Sequence, residues 1–278
     1  MGTASPTLCY VLREVPELAE CIPSGLRDRA ISECVAPALH LATGSWEVER
    51  SVAPEGTIGL LVLSGLMIRR VGIDGRMGAE LLGEGDLVRP WQLELDVSTL
   101  PLRTSWSVVE PTRIAVLDEA FMAKVARYPK LVGALLALAI ERSRNFAVQL
   151  AIIHQARVDI RLRMLLWHFA SRWGRVRTDG TVLPKRLTHA VLADLVAARR
   201  PTVTSALTRL SKLGLVHFDG EVWILSGGPP SELTDDAVPG SAAVPGSASV
   251  PGSEPVPGSE SVPGGAAVPG DIVGPGHR

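Results

Sequence analysis

The sequence predicts an α+β protein with a β-rich first half, one long helix and a compact basic module of short helices and a hairpin. Three observations predict it. Short apolar runs separated by glycine-containing turns fill residues 37–118, a proline-free helical pattern covers residues 131–154, and apolar residues recur at helical spacing again after residue 156. With 278 residues, of which 46% are hydrophobic, the chain has room for two modest domains and an extension.

Residues 1–36 are predicted to form a short helical entry that several prolines interrupt. They hold all three cysteines of the chain, Cys9, Cys21 and Cys34. An odd number of cysteines predicts free thiols and a cytoplasmic protein. The wide gaps between them and the lack of a fourth ligand argue against an iron–sulfur cluster. The sequence predicts no secretory signal and no membrane partner, because the longest apolar run, residues 131–140, is too short to cross a bilayer.

Residues 37–128 are predicted to form a β-sandwich or jelly roll, because their short apolar runs are evenly spaced. Ile73-Asp74-Gly75 predicts a hairpin, and Gly83 and Gly85 predict a further bend. From Asp118 onward the pattern becomes helical, first in a short helix that ends before Pro129.

Residues 129–155 are predicted to be one long helix that is apolar on more than one side. Its predicted apolar face includes Leu131, Leu135, Leu138, Phe146 and Leu150. Such a helix needs a partner, and a second copy of the chain in a homodimer is the prediction. The alternative is a helix that packs only on its own domain.

Residues 156–228 are predicted to form a winged helix-turn-helix. An amphipathic helix over residues 156–173 comes first, with Leu162, Leu165, Leu166 and Phe169 facing its core. Two short helices follow between residues 187 and 216, for which Thr188 is a predicted N-cap, Pro201 suits a first helical turn and Gly214 suits a C-cap. Asp219-Gly220 then marks a tight hairpin between two apolar runs.

The second of these helices is predicted to bury Val203, Leu207, Leu210 and Leu213. Polar and basic residues remain on its outer face and predict contact with double-stranded DNA; together with the N-cap of the preceding helix, the predicted DNA-binding residues are Thr188, Arg199, Arg200, Pro201, Thr202, Thr204, Ser205, Thr208, Arg209 and Lys212. Charge supports this prediction. Residues 156–228 hold 12 Lys or Arg against 5 Asp or Glu, although the net charge of the chain is −1.

Residues 229–278 are predicted to be a disordered, mildly acidic tail. Val-Pro-Gly recurs there every six residues, with Ser, Ala and Glu between, and such a segment buries too little apolar surface to order itself. An ordered stack of repeats is the rival hypothesis. An acidic tail could compete with DNA for the basic module.

A β-rich sensor, a long helix and a winged helix-turn-helix, in that order, resemble the cyclic-AMP receptor / fumarate–nitrate regulator (Crp/Fnr) superfamily over about residues 8–227. The resemblance is most specific in the run from Arg200 to Leu207, RPTVTSAL, and in LLGEGDLVRPW of the first half. It implies a cyclic-nucleotide-binding-like jelly roll and a homodimer that binds inverted-repeat operators to regulate transcription. It also makes RNA polymerase and a small-molecule effector candidate partners.

The chain departs from the family pattern at both sites. Arg200 stands where the family reads bases with arginine, but Pro201 replaces a glutamate and Ser205 a second arginine. In the sensor, Arg89-Pro90-Trp91 replaces the expected Phe-Gly-Glu run. These departures favour a different ligand, or none, over a cyclic nucleotide, and no cofactor is expected. The candidate effector residues are Gly83, Gly85, Arg89, Trp91, Arg103 and Thr104.

Two other functions are alternatives to a transcription regulator. An enzyme with a metal in the jelly roll would need clustered ligands, yet His40 is the one histidine in residues 37–118, and no catalytic motif is present in the sequence. The sequence therefore predicts a protein that is not an enzyme. The other alternative is a sensor of a cyclic nucleotide or haem that acts through protein contacts, with weak or no specific DNA binding.

Overall fold

The computed structural model describes residues 7–47, 57–73, 76–91 and 101–230. Nearly all of the predicted tail, residues 231–278, lies outside these ranges, and so does the predicted turn Asp74-Gly75. The described residues up to 230 belong to one compact unit. No helix among them is long and apolar enough to cross a membrane.

The N-terminal segment consists of β1 (Thr7–Tyr10), α1 (Val11–Glu14), α2 (Pro16–Glu20) and α3 (Ser24–Glu33). The prediction of a short helical entry is therefore wrong at its start, where β1 pairs antiparallel with β2 (Val35–Leu41). β1 spans only four residues, of which Cys9 alone is buried, and this is too short an alternation to be recognised in the sequence.

The strands of the β-domain after β1 and β2 are β3 (Gly44–Trp46), β4 (Gly59–Ile73), β5 (Arg76–Gly83), β6 (Leu87–Val88) and β7 (Arg103–Leu117). They form one antiparallel sheet with the strand order β1-β2-β7-β4-β5, to which β3 adds on β7 and β6 adds on β4. The predicted hairpin is confirmed, because Ile73 lies opposite Arg76. The predicted β-rich first half is confirmed as well.

Strand β4 contributes to each of the three apolar clusters found among the described residues. Leu61 packs with the N-terminal helices, Leu60 with the opposite face of the sheet, and Leu66 with the C-terminal module. The strand bends between these parts at Gly65, whose φ is +91°, and a side chain there would meet the Pro111 carbonyl. The bend directs the second half of β4 toward the C-terminal module.

Two helices connect the β-domain to that module. α4 (Glu119–Val125) is capped by Asp118, whose carboxylate accepts a hydrogen bond from the Phe121 amide at 2.8 Å. α5 (Pro129–Ile153) is the predicted long helix. It is fixed to β5 by Arg142, which donates two 2.9 Å hydrogen bonds to the buried Glu80 carboxylate.

The C-terminal module is a winged helix-turn-helix, as predicted. Its elements are α6 (Val158–Trp173), β8 (Arg175–Arg177), β9 (Gly180–Leu183), α7 (His189–Leu195), α8 (Arg200–Lys212), β10 (Val216–Phe218) and β11 (Trp223–Leu225), with the strand order β10-β11-β9-β8. The sequence did not predict β8 and β9. β8 is exposed at all three positions, so it carries no apolar alternation.

The apolar core of this module is continuous with the β-domain. Leu66, Ile68 and Leu81 of the β-domain belong to the same buried cluster as α6, α7 and α8. The predicted sensor (37–128) and DNA-binding (156–228) segments therefore share a core in this structure.

Candidate nucleic-acid interface

Helix α8 begins and ends where the sequence predicts. Pro201 lies in its first turn, where a missing N–H costs no intrahelical hydrogen bond. At the other end Gly214 has a φ of +67°, and the Leu215 amide donates a hydrogen bond to the Leu210 carbonyl at 3.0 Å.

One side of α8 is buried against the rest of the module, through Val203, Ala206, Leu207 and Leu210. The prediction that Leu213 also faces inward is wrong, since its side chain is 64% exposed. Leu213 is the C-cap of α8, so the helical period no longer places it on the buried side.

The opposite side of α8 is open to solvent and carries the predicted set. The exposed residues, including the N-cap Arg199, are Arg199, Arg200, Pro201, Thr202, Thr204, Ser205, Thr208, Arg209 and Lys212. In the part of the chain that the structure describes, Arg199, Arg200 and Lys212 have no ion-pair partner. The helix therefore presents cationic groups from its N-terminus to its last turn.

Two threonines on this face use their hydroxyl groups within the helix. Thr204 Oγ1 donates to the Arg200 carbonyl at 3.1 Å, and Thr208 Oγ1 donates to the Thr204 carbonyl at 2.9 Å. His189 Nδ1 lies 3.0 Å from Thr204 Oγ1. What these threonines offer a ligand is therefore a methyl group and an acceptor oxygen.

Arg209 is partly engaged within the module. Its Nη1 lies 3.7 Å from Oδ2 of Asp159, a buried carboxylate at the start of α6. A hydrogen bond from Arg157 holds the pKa of Asp159 below its usual range, and the Arg209 charge contributes to the same effect. This contact links residues 50 positions apart, and no local pattern predicts it.

The partner helix α7 is capped as predicted, because Thr188 Oγ1 accepts a hydrogen bond from the Val191 amide at 3.2 Å. Beyond this cap, α7 contacts the β-domain. Arg70 Nε donates a hydrogen bond to Asp194 Oδ2 at 2.8 Å. Gln149 Nε2 donates hydrogen bonds to the carbonyl of Ala79 in the β-domain and to the carbonyl of Leu195 in α7.

The wing differs in detail from the prediction. Phe218 pairs with Trp223, so four residues connect β10 to β11 instead of a two-residue turn. Asp219 closes the connection, accepting hydrogen bonds from the amides of Glu221 and Val222, and these bonds lower its pKa. Asp219 and Glu221 place two carboxylates at the tip of the wing, where Glu221 is paired with Arg186 at 3.0 Å.

The structure does not bring the candidate effector residues together, because Arg103 and Thr104 lie at the other end of β4 from the residues around β6. Gly83 and Gly85 flank the β5–β6 turn, and Arg89 and Trp91 follow β6 with the guanidinium 5.9 Å from the ring centroid. Arg103 and Thr104 begin β7 as exposed residues, opposite Gly72 and Val71 of β4. β6 pairs with Leu60 and Leu61, at the other end of β4.

The three cysteines are free thiols, of which Cys9 and Cys34 are buried. Burial raises the pKa of Cys34 to about 11. Within the described ranges, no three His, Cys, Asp or Glu side chains are grouped so that they could hold a metal ion.

Comparison with known proteins identifies the module. Residues 160–226 match the family model of the Crp-like helix-turn-helix domain. No curated protein matches the chain.

Solved structures share the fold at low identity. A cyclic nucleotide-binding domain containing protein from Listeria monocytogenes EGD-e matches with a TM-score of 0.57 at 14% identity, over 76% of this chain and 97% of that one. A CooA mutant from Carboxydothermus hydrogenoformans matches with a TM-score of 0.52 at 16% identity, over 68% of this chain and 83% of that one. FixK2 from Bradyrhizobium japonicum matches with a TM-score of 0.51 at 16% identity, over 69% of this chain and 93% of that one. The resemblance seen in the sequence is confirmed: residues 160–226 carry a Crp-like helix-turn-helix domain, and the chain shares the fold of these solved structures.

Proposed function

We propose that this protein is a homodimeric transcription regulator whose α8 enters the major groove of an inverted-repeat operator. The observation that carries the proposal is the outer face of α8, which is open to solvent and cationic while its inner face is fully packed. In helix-turn-helix proteins the second helix lies in the major groove, with its N-terminal residues at the base edges.

Arg200 is the proposed base-reading residue. It begins α8, is exposed, and can donate two hydrogen bonds to a guanine edge. The methyl groups of Thr204 and Thr208 suit contact with thymine methyls, because their hydroxyl protons are used within the helix. Arg199 and Lys212, at the two ends of α8, are proposed phosphate contacts.

The dimer is proposed to form along α5. Six large apolar residues of this helix are 41–62% exposed: Val132, Leu136, Ile140, Phe146, Val148 and Leu150. Apolar and small residues recur along α5 with the alternating four- and three-residue spacing of a coiled-coil seam. The seam consists of Val132, Leu136, Ala139, Ser143, Phe146 and Leu150. A second copy would cover this seam and place two α8 helices against half-sites about 34 Å apart.

Selection of genomic duplexes by the purified full-length protein tests DNA recognition. We expect an inverted repeat in the bound fragments and an affinity that falls steeply as salt concentration rises. Arg200→Ala combined with Arg209→Ala should abolish the selection. The matched control is Arg13→Ala with Lys130→Ala, which removes two exposed charges outside the module and should leave the selection intact.

Binding that survives the α8 double variant unchanged would refute the assignment of α8. A dimer that binds no duplex at low salt would favour the alternative function, a sensor that acts through protein contacts.

Sedimentation of the full-length protein tests the dimer separately. Leu136→Lys should shift the protein toward the monomer, because it places a charge in the proposed seam. Leu8→Lys is the control, since Leu8 on β1 is 70% exposed, compared with 62% for Leu136. A wild-type protein that sediments as a monomer at micromolar concentration would rule out the homodimer.

A further inference from the structure

A cleft of about 670 Å³ lies beside α5, apart from α8 and from most of the candidate effector residues. Its apolar lining includes Val15 and Leu18 from the N-terminal segment and Ala134 and Leu138 from α5. The C-terminal end of α6 and the segments that follow it complete the cleft. Its size is within the range of pockets that bind small organic ligands.

Charges of both signs line the same cleft. Glu17 comes from α2 and Glu84 from the β5–β6 turn, whereas Arg175 comes from β8. Among the residues that the structure describes, none of these three has an ion-pair partner, so they face the cleft without neutralising one another. An unpaired carboxylate and an unpaired guanidinium in one cleft are complementary to a ligand that carries both charges.

The other two cations of the cleft are already engaged. Arg172 is paired with buried Asp86 at 2.8 Å and lies over the Trp173 ring at 4.1 Å. Lys185 Nζ is 3.8 Å from Glu110 and 5.7 Å from the centre of the same ring. Arg175 is therefore the cation that remains for a ligand carboxylate.

We propose that this cleft binds a small zwitterion with an apolar body, such as a short apolar peptide with free termini. The ligand carboxylate binds Arg175, its ammonium group binds Glu17 or Glu84, and its apolar side chains pack on Leu18 and Leu138.

Occupancy of the cleft would touch both halves of the protein. Trp173 ends α6, and its ring fills a notch over Gly83 of β5, where an added Cβ would lie 2.7 Å from the ring. A ligand against Trp173 therefore contacts the junction between the β-domain and the helix-turn-helix module. Its effect on DNA binding rests on the proposed function, whereas its binding does not.

Calorimetry on the full-length protein, without DNA, tests the site with leucyl-phenylalanine as the probe. We expect saturable binding that weakens about tenfold when the probe is N-acetylated or C-amidated, because each change removes one charge. Arg175→Gln should weaken binding to a similar extent. Arg177→Gln on the same strand is the matched control and should not alter binding.

Ala137→Phe provides a second test, because Ala137 is exposed on α5 and lines the cleft, so a larger side chain there fills it without disturbing the core. This variant should abolish binding while thermal unfolding stays unchanged. The proposal is overturned if the dipeptide shows no saturable binding at concentrations up to about 1 mM, a dissociation constant typical of weak ligands. Binding that is insensitive to Arg175→Gln and Ala137→Phe would overturn it equally. These measurements use no duplex, so they fail or succeed independently of the DNA-binding proposal.

Discussion

The two helices of the helix-turn-helix, α7 and α8, have similar amphipathic patterns but different surroundings. Both bury apolar residues in one shared cluster, including Leu192 of α7 and Leu207 of α8. The outer side of α7 meets the β-domain through the Asp194–Arg70 ion pair. The outer side of α8 is exposed along its whole length, and its contacts, Arg209 with Asp159 and Thr204 with His189, stay within the module.

This difference teaches that amphipathic periodicity alone does not select a binding surface. Asp194 of α7 is polar and directed outward, yet its carboxylate is paired with Arg70, which lies 124 residues away in sequence. Among the residues that the structure describes, Arg199, Arg200 and Lys212 of α8 are exposed and have no ion-pair partner. Availability, decided by tertiary contacts, separates a docking helix from a proposed recognition helix.

The largest expected effect is on the free energy of unfolding and comes from a change in the apolar core that α7 and α8 share. Leu192→Ala should lower the free energy of unfolding by about 2–5 kcal/mol, because it leaves a cavity in the common core. Urea unfolding monitored by circular dichroism measures this. Thr202→Ala, on the open side of α8, should change the free energy by no more than about 0.5 kcal/mol. Equal costs at the two positions would remove the distinction between buried and open sides.

The next effect separates binding from stability on α8. Arg200→Ala should cost about 1–3 kcal/mol of discrimination at one base pair of the operator, with unfolding unchanged. Lys212→Ala should weaken binding to all sequences alike and reduce the slope of log affinity against log salt by about 1. Fluorescence anisotropy with operator and scrambled duplexes provides both values. If Lys212→Ala relaxed base preference and Arg200→Ala did not, the proposed roles would be reversed.

A smaller effect is expected on the docked side of α7. Arg70→Gln removes a half-exposed ion pair worth about 0.2–1 kcal/mol, so global stability should change little. Hydrogen exchange of the α7 amides should nevertheless accelerate, because that pair holds α7 on the β-domain. Arg113→Gln removes a similarly exposed pair with Glu14 and is the control. Exchange in α7 that responds equally to both variants would show that the Arg70 contact has no local role.

The last prediction concerns α6, which packs beneath both helices. Burial, aided by the nearby Arg172 charge, lowers the pKa of His168 on α6 below 6.5. The unfolded chain therefore binds more protons than the folded chain as pH falls below about 6.5, and stability decreases in that direction. The urea midpoint should fall between pH 7.5 and pH 5.5, and His168→Gln should reduce that fall.

The sequence supports prediction wherever a physical signal is local. Thr188 as an N-cap, Pro201 in a first turn and Gly214 as a C-cap were all predictable, because each acts within a few residues of its own helix. The long helix and the exposed polar face of α8 followed from periodicity. Periodicity failed at Leu213, where the helix ends, and at β8, where no apolar alternation exists.

The amino-acid sequence itself thus determined the order and type of most elements and the exposed polar face of α8. Only the tertiary structure decided that β1 joins the sheet, that Arg209 contacts Asp159 and that Trp173 packs over Gly83. The physical reason is that helix ends and amphipathic faces depend on neighbours three or four residues away. Ion pairs, sheet edges and clefts depend on residues that only the folded chain brings together.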